Sequence, residues 1–208
     1  MKLWGPAPRE DAGGGDAQGN LELSEPRKVT TSCASLMVLT GEHFACVKVT
    51  GRATFTLAID FKALLTRLEA RGYPYLVIEL ADCSLMDSTF LGVLAASAAR
   101  LNPVNAECET RAIELRNANT RLLDLLESLG VLHLFKLGHE PVPDQGYQKA
   151  VPMDACQQSR ENLIQASLEA HETLMQINPD NVERFKEVTR FLKEDLKKSK
   201  NSRNRGEA

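Results

Sequence analysis

Asp87, Ser88 and Thr89 stand between two stretches of different hydrophobic period. They offer one carboxylate and two hydroxyls. These residue types cap helix N-termini, where backbone N–H groups lack partners within the helix. A small hydroxyl is thus presented where a strand hands over to a helix, with backbone N–H groups pointing towards it. Capping alone is worth ~1 kcal/mol, and spacing by itself reveals no further role. Covalent chemistry at Ser88 would need a base, and no His or Cys lies near it in the sequence. The Gly13–Gly15 run is not followed by Lys and Ser or Thr, so it is not a phosphate-binding loop. The chain is expected not to be an enzyme.

The elements around these residues follow from periodicity. Tyr75 to Leu80 (YLVIEL) is a short, aliphatic, partly β-branched run, expected as a buried strand. Leu91, Leu94, Ala95, Ala98 and Leu101 recur three or four apart, the stripe of a helix starting near Ser88. Asn102-Pro103 closes it. Upstream, Ser35 to Thr40 and Phe44 to Gly51 read as two strands around a turn. Leu57 to Arg71 reads as a helix ending at Gly72. Downstream, Arg111 to Asn117 alternates as a strand, Asn119 or Thr120 can cap a helix that ends at Gly130, and His133 to Gly138 is a last strand. Small residues at Gly92, Ala95, Ala96 and Ala99 permit close helix packing. The expected fold class is α/β: a mixed β-sheet with helices on one face, plus a C-terminal helical hairpin.

MDSTFLGVL, Met86 to Leu94, resembles the MDSSGLGVL signature of STAS domains, the anti-sigma factor antagonist family. The resemblance spans roughly Phe44 to Leu137, and the element order agrees with it. It implies a bacterial, cytoplasmic phosphoprotein acting by partner switching. In the family, the Ser after the Asp is phosphorylated by a partner kinase, and the matching position is Ser88, with Thr89 as an alternative acceptor. The unphosphorylated protein would bind an anti-sigma factor or ATPase-type Ser/Thr kinase and regulate transcription or another output. Phosphorylation would break that complex and a phosphatase would restore it. Asp87, Ser88, Thr89, Phe90, Leu91 and Gly92 would form the partner surface, joined by Asn117 and Asn119, whose turn and cap roles are an equal reading. Many family members have Gly where this chain has Phe90; an exposed aromatic there would change the partner surface or, alternatively, serve as a binding anchor. Many carry Asp in the loop that here reads GRATFTLA, Gly51 to Ala58, with Thr54 and Phe55 in that region. The alternative is a structural STAS subunit of a lipid-transport ATPase or signalling assembly, without phosphorylation.

The 208 residues suffice for one such domain with extensions, and the net charge of −3 speaks against bulk DNA binding. Five cysteines (Cys33, Cys46, Cys83, Cys108, Cys156) without CxxC spacing and four scattered His support neither a metal site nor a disulfide framework. Reduced thiols and no cofactor are expected. The N-terminus lacks the apolar core of a signal peptide, and no stretch has the ~18 apolar residues of a membrane span. Residues 1–34 are expected to be disordered, 35–140 to form the STAS domain, 141–153 a linker, 154–198 a helical hairpin and 199–208 a basic tail. In the hairpin, Leu163, Ser167, Ala170, Leu174 and Ile177 share one face, while Val182, Phe185, Val188 or Thr189, Leu192 and Leu196 share the other. Asn178-Pro179 is the turn, with Asn178 expected to cap the second helix. These faces can pack on each other and on the sheet, or form a homodimer.

Overall fold

The computed structural model describes residues 34–101, 112–140, 142, 146–150 and 159–206, with 200–206 as backbone only. The expected disorder of 1–34 falls almost wholly outside these residues. So do the loop 102–111 and most of the expected linker.

The chain order is β1 (Ser35–Thr40), β2 (Phe44–Ala53), α1 (Phe55–Ala70), β3 (Tyr75–Glu79), β4 (Cys83–Met86), α2 (Ser88–Leu101), β5 (Ala112–Arg116), α3 (Thr120–Ser128), a 3-10 turn (Leu132–Leu134), β6 (Lys136–Gly138), β7 (Gln148–Lys149), α4 (Arg160–Ile177) and α5 (Asn181–Gly206). Among the described residues the strands form one seven-stranded sheet in the order β6-β5-β3-β2-β1-β7, with β4 beside the far end of β2. The β2, β3, β5 and β6 neighbours are parallel, as is β4 to β2, while β1 runs antiparallel to both β2 and β7.

Alternate residues of a strand point to opposite faces. Val47, Val49, Leu76, Ile78, Ile113 and Leu115 share one core cluster with buried residues of α1, α2, α3 and α4. The intervening residues carry charge: Lys48, Glu79 and Arg116 lie in register across three strands. Glu114 is bonded to Tyr75 and, at 2.5 Å, to Arg116. So the helices cover one face, and the other is polar. Burial and the Glu114 bond push the Tyr75 phenol up to about 12.

Most expected elements are present, with local differences. α1 begins at Phe55, two residues before the expected start at Leu57. His133–Leu134 falls in a 3-10 turn, leaving only Lys136–Gly138 as strand. Two strands lie outside the expected ones: β4, in the unassigned stretch before α2, and β7, inside the expected linker. Strands of four and two residues are too short for alternation to mark them. Gly72 does follow α1 with φ +81, the left-handed conformation that suits a glycine.

At the hairpin turn Asn178 is the C-cap of α4 and also receives an N–H from the turn leading into α5. Its Oδ1 accepts from the Asp180 N–H at 3.1 Å, and α5 starts at Asn181. Asn181 is 1% exposed and spans the turn, donating to the carbonyls of Leu129 (2.9 Å) and Leu174 (3.0 Å). No helix among the described residues is long and apolar enough to cross a membrane.

Candidate functional site

The site begins where β4 hands the chain to α2. Parallel pairing to β2 brings Met86 opposite Ala53, and the Asp87 N–H donates to the Ala53 carbonyl at 3.0 Å. This fixes Asp87 where α1 starts. Its Oδ1 accepts from the Phe90 N–H (2.9 Å) and its Oδ2 from the Phe55 N–H (2.7 Å). Thr54, at the N-cap of α1, makes no side-chain cap bond. One carboxylate therefore satisfies the N-termini of two helices, where two positive dipole ends converge.

Because Asp87 does the capping, the Ser88 hydroxyl is left for another partner. Ser88 is half-buried, and its Oγ lies 2.9 Å from Nε2 of His171 on α4. The Nδ1 of His171 lies 2.7 Å from the Ser167 carbonyl. A carbonyl only accepts, so Nδ1 carries the proton and Nε2 offers its lone pair. Ser88 is then the donor. His171 is 5% exposed and meets the Phe185 ring edge-on at 4.8 Å. Burial pushes its pKa below the ordinary imidazole value, against the Ser167 bond and the Asp87 charge.

This pair has two members of a nucleophile–base–orienter set. The N–H that could stabilise an oxyanion here, that of Phe90, is already bound to Asp87. What the arrangement does offer is a hydroxyl with a neutral acceptor beside it, at the start of a helix anchored without it.

The remaining residues divide. Thr89 is buried and its Oγ1 lies 3.0 Å from the Ser167 Oγ, beneath α4. Gly92 faces Ala170: a Cβ added there would sit 2.5 Å from the Ala170 carbonyl oxygen. Phe90 is not an exposed anchor. It is 0% exposed and stacks on Phe61 with ring centroids 4.3 Å apart. Leu91 is likewise in the core and lines no surface. Both point inward because α1, α4 and the sheet enclose α2 on most sides. Phe55 is the aromatic left outside, 48% exposed, on the residue whose N–H Asp87 holds.

Asn117 and Asn119 have local duties. Asn117 adopts φ 55 and donates to Glu79 Oε2 at 2.9 Å. Asn119 caps α3 by accepting from the Leu122 N–H (3.0 Å) and donates to the Cys83 carbonyl (2.9 Å). Asn119 thus braces the strand leading to Ser88, whereas Asn117 is tied to the end of β3.

Sequence reasoning missed His171 and Ser167. The available signal was a histidine beside Ala170, within the turn that joins Ser167 to Leu174 on the apolar face of α4.

A mixed sheet with helices on one face, and a Ser at the β4–α2 junction, make this a mixed α/β fold with an added hairpin. Similar solved structures include the anti-sigma factor antagonist SpoIIAA in its unphosphorylated form, with 13% identity over 52% of this chain and 90% of that one and a TM-score of 0.42. An anti-sigma factor antagonist from Mycobacterium paratuberculosis matches at 19% identity over 53% and 88%, TM-score 0.44. The phosphorylated form of SpoIIAA, a Bacillus cell fate determinant, matches at 15% over 52% and 93%, TM-score 0.41. The likeness is one of fold and covers about half of this chain. No family model and no curated protein matches it.

Proposed function

We propose that the protein is a phosphorylation-controlled binding module of the anti-sigma factor antagonist type. Unphosphorylated, it binds an anti-sigma factor or ATPase-type Ser/Thr kinase. Phosphorylated on Ser88, it releases that partner, and a phosphatase resets it. It works in the cytoplasm, without catalysis, on transcription or a comparable output.

The observation that carries this reading is the division of labour at the junction: Asp87 caps both helices, and Ser88 caps neither. Phosphate adds about −1.5 to −2 charges. At the start of α2 that charge gains ~0.3–1 kcal/mol from the helix dipole, so the α2 cap tolerates it. A docked acidic surface does not, since like-charge contact costs roughly several kcal/mol. At ~1.4 kcal/mol per tenfold, affinity falls by ~10²–10³. The exposed Phe55 supplies an apolar contact beside the switch. On α5, exposed Val188 and Phe191 are candidate homodimer contacts.

The test is phosphorylation by candidate ATPase-type kinases, with the site mapped by mass spectrometry, and calorimetry of the Ser88→Ala and Ser88→Asp proteins. Phosphate on Ser88, retained binding in Ser88→Ala and its loss in Ser88→Asp are expected. A protein that stays unmodified and binds equally well in all three forms would sink the reading.

A further inference from the structure

The face on which that function depends is occupied by the chain itself. The middle of α4 lies across the first turns of α2, placing His171 on Ser88, Ser167 on Thr89 and Ala170 on Gly92. Glu169 of α4 also pairs with Lys62 of α1 at 2.5 Å. We propose that the α4–α5 hairpin is a detachable intramolecular cover, occupying in cis the surface around Ser88 that a partner helix takes in trans. The biological consequence rests on the reading of Ser88 given above. The cover is a property of this chain alone.

Geometry makes docking and modification alternatives. A phosphoryl group on the Ser88 Oγ must enter the space where Nε2 of His171 sits 2.9 Å away. The half-buried hydroxyl is also closed to an enzyme's active site on the side that α4 takes. Either event requires α4 to lift.

The seam is built to open. Its contacts at the Ser88 end are polar pairs and a close approach of small residues. Polar pairs exchange for water at little net cost, unlike a wide apolar contact. A half-open cleft of about 310 Å³ runs along the seam, lined by Lys62, Gly92, Ala96, Arg100, Glu169 and Thr173, so solvent already reaches that edge. The other end is fastened. Leu174 is fully buried, Asn181 holds the Leu129 carbonyl, and Arg184 donates to the Ser128 carbonyl at 3.2 Å. The hairpin therefore stays tethered at its turn when the Ser88 end lifts. The helix that replaces α4 is defined by what α4 supplies: a small residue opposite Gly92, an acceptor for Ser88 and a carboxylate for Lys62.

The test needs no partner. In the full-length chain, Ser88→Cys places a thiol under the cover, and N-ethylmaleimide labelling is followed peptide by peptide. Buried Cys83, in β4, reports the sheet body. In this background Ala170→Glu forces α4 off Gly92, and Lys62→Glu sets like charges against Glu169 at a surface position that leaves the core untouched. Position 88 is expected to label about tenfold faster or more with Ala170→Glu, and about two- to fivefold faster with Lys62→Glu. Cys83 is expected to keep its rate. Labelling of position 88 at the denatured-chain rate without either change would mean there is no cover. Labelling that rises only together with Cys83, or that neither substitution accelerates, would make the hairpin part of the fixed body. These outcomes leave the kinase assay on Ser88 to stand or fall separately.

Discussion

The Ser88 hydroxyl donates to Nε2 of His171 at 2.9 Å, joining the start of α2 to the middle of α4 across 83 residues of chain. Burial opposes charging the imidazole, and with Nδ1 donating to a carbonyl its Nε2 is left to accept. One hydrogen bond thus links the start of α2 to the hairpin over it.

Removing the donor should cost more than the bond's net worth. Ser88→Ala leaves Nε2 of a buried imidazole without a partner, a penalty of ~1–3 kcal/mol. Urea denaturation should register it as a lower midpoint. Replacing His171 by Phe in the same variant removes the orphaned acceptor and should recover part of the loss.

Asp87 should tolerate no conservative change. Asp87→Asn places an amide NH₂ against one of two N–H donors, those of Phe55 and Phe90. The expected destabilisation is ~1–2 kcal/mol, close to that of Asp87→Ala. Equal stability of Asp87→Asn and the parent in thermal melts would contradict the double-cap geometry.

The two aromatics should separate stability from binding. Phe90→Ala empties a stacked core position and should cost ~3–5 kcal/mol. Phe55→Ala, at the surface, should stay within ~0.5 kcal/mol of the parent. If the kinase docks here, Phe55→Ala should weaken binding by about tenfold or more, as read by calorimetry.

Docking of α4 should weaken in acid. The docked value of His171 lies below the ordinary 6.5. Above pH 6.5 both docked and released forms are neutral there, and the docked state keeps its full advantage. As pH falls below 6.5 the released form takes up a proton that the docked form resists, so docking loses by at most about tenfold per pH unit. The loss ends once pH passes the docked value. The groups facing the ring are the Ser88 hydroxyl and nearby Asp87 from the start of α2, the Ser167 carbonyl on α4 and the Phe185 ring on α5. Amide protection factors in α4, corrected for the intrinsic slowing of exchange in acid, should fall over this range, and His171→Gln should abolish the dependence.

Local order was legible because its causes are local. The start of α2, the Asn119 cap of α3, the glycine after α1 and the alternation in β5 each arise within a few residues. So the sequence by itself determined an α/β fold with a hydroxyl at a strand-to-helix junction. Only the tertiary structure decided what surrounds that junction. Periodicity marks one apolar face of α2, on which Leu91 lies, yet α1 covers a second one, where Phe90 stacks on Phe61, which turns Phe90 from a surface candidate into core. Asp87 as a cap for α1, and His171 as the partner of Ser88, depend on contacts between residues 32 and 83 positions apart. Chain closure over such distances follows from how helices pack on the sheet, and no local preference encodes it.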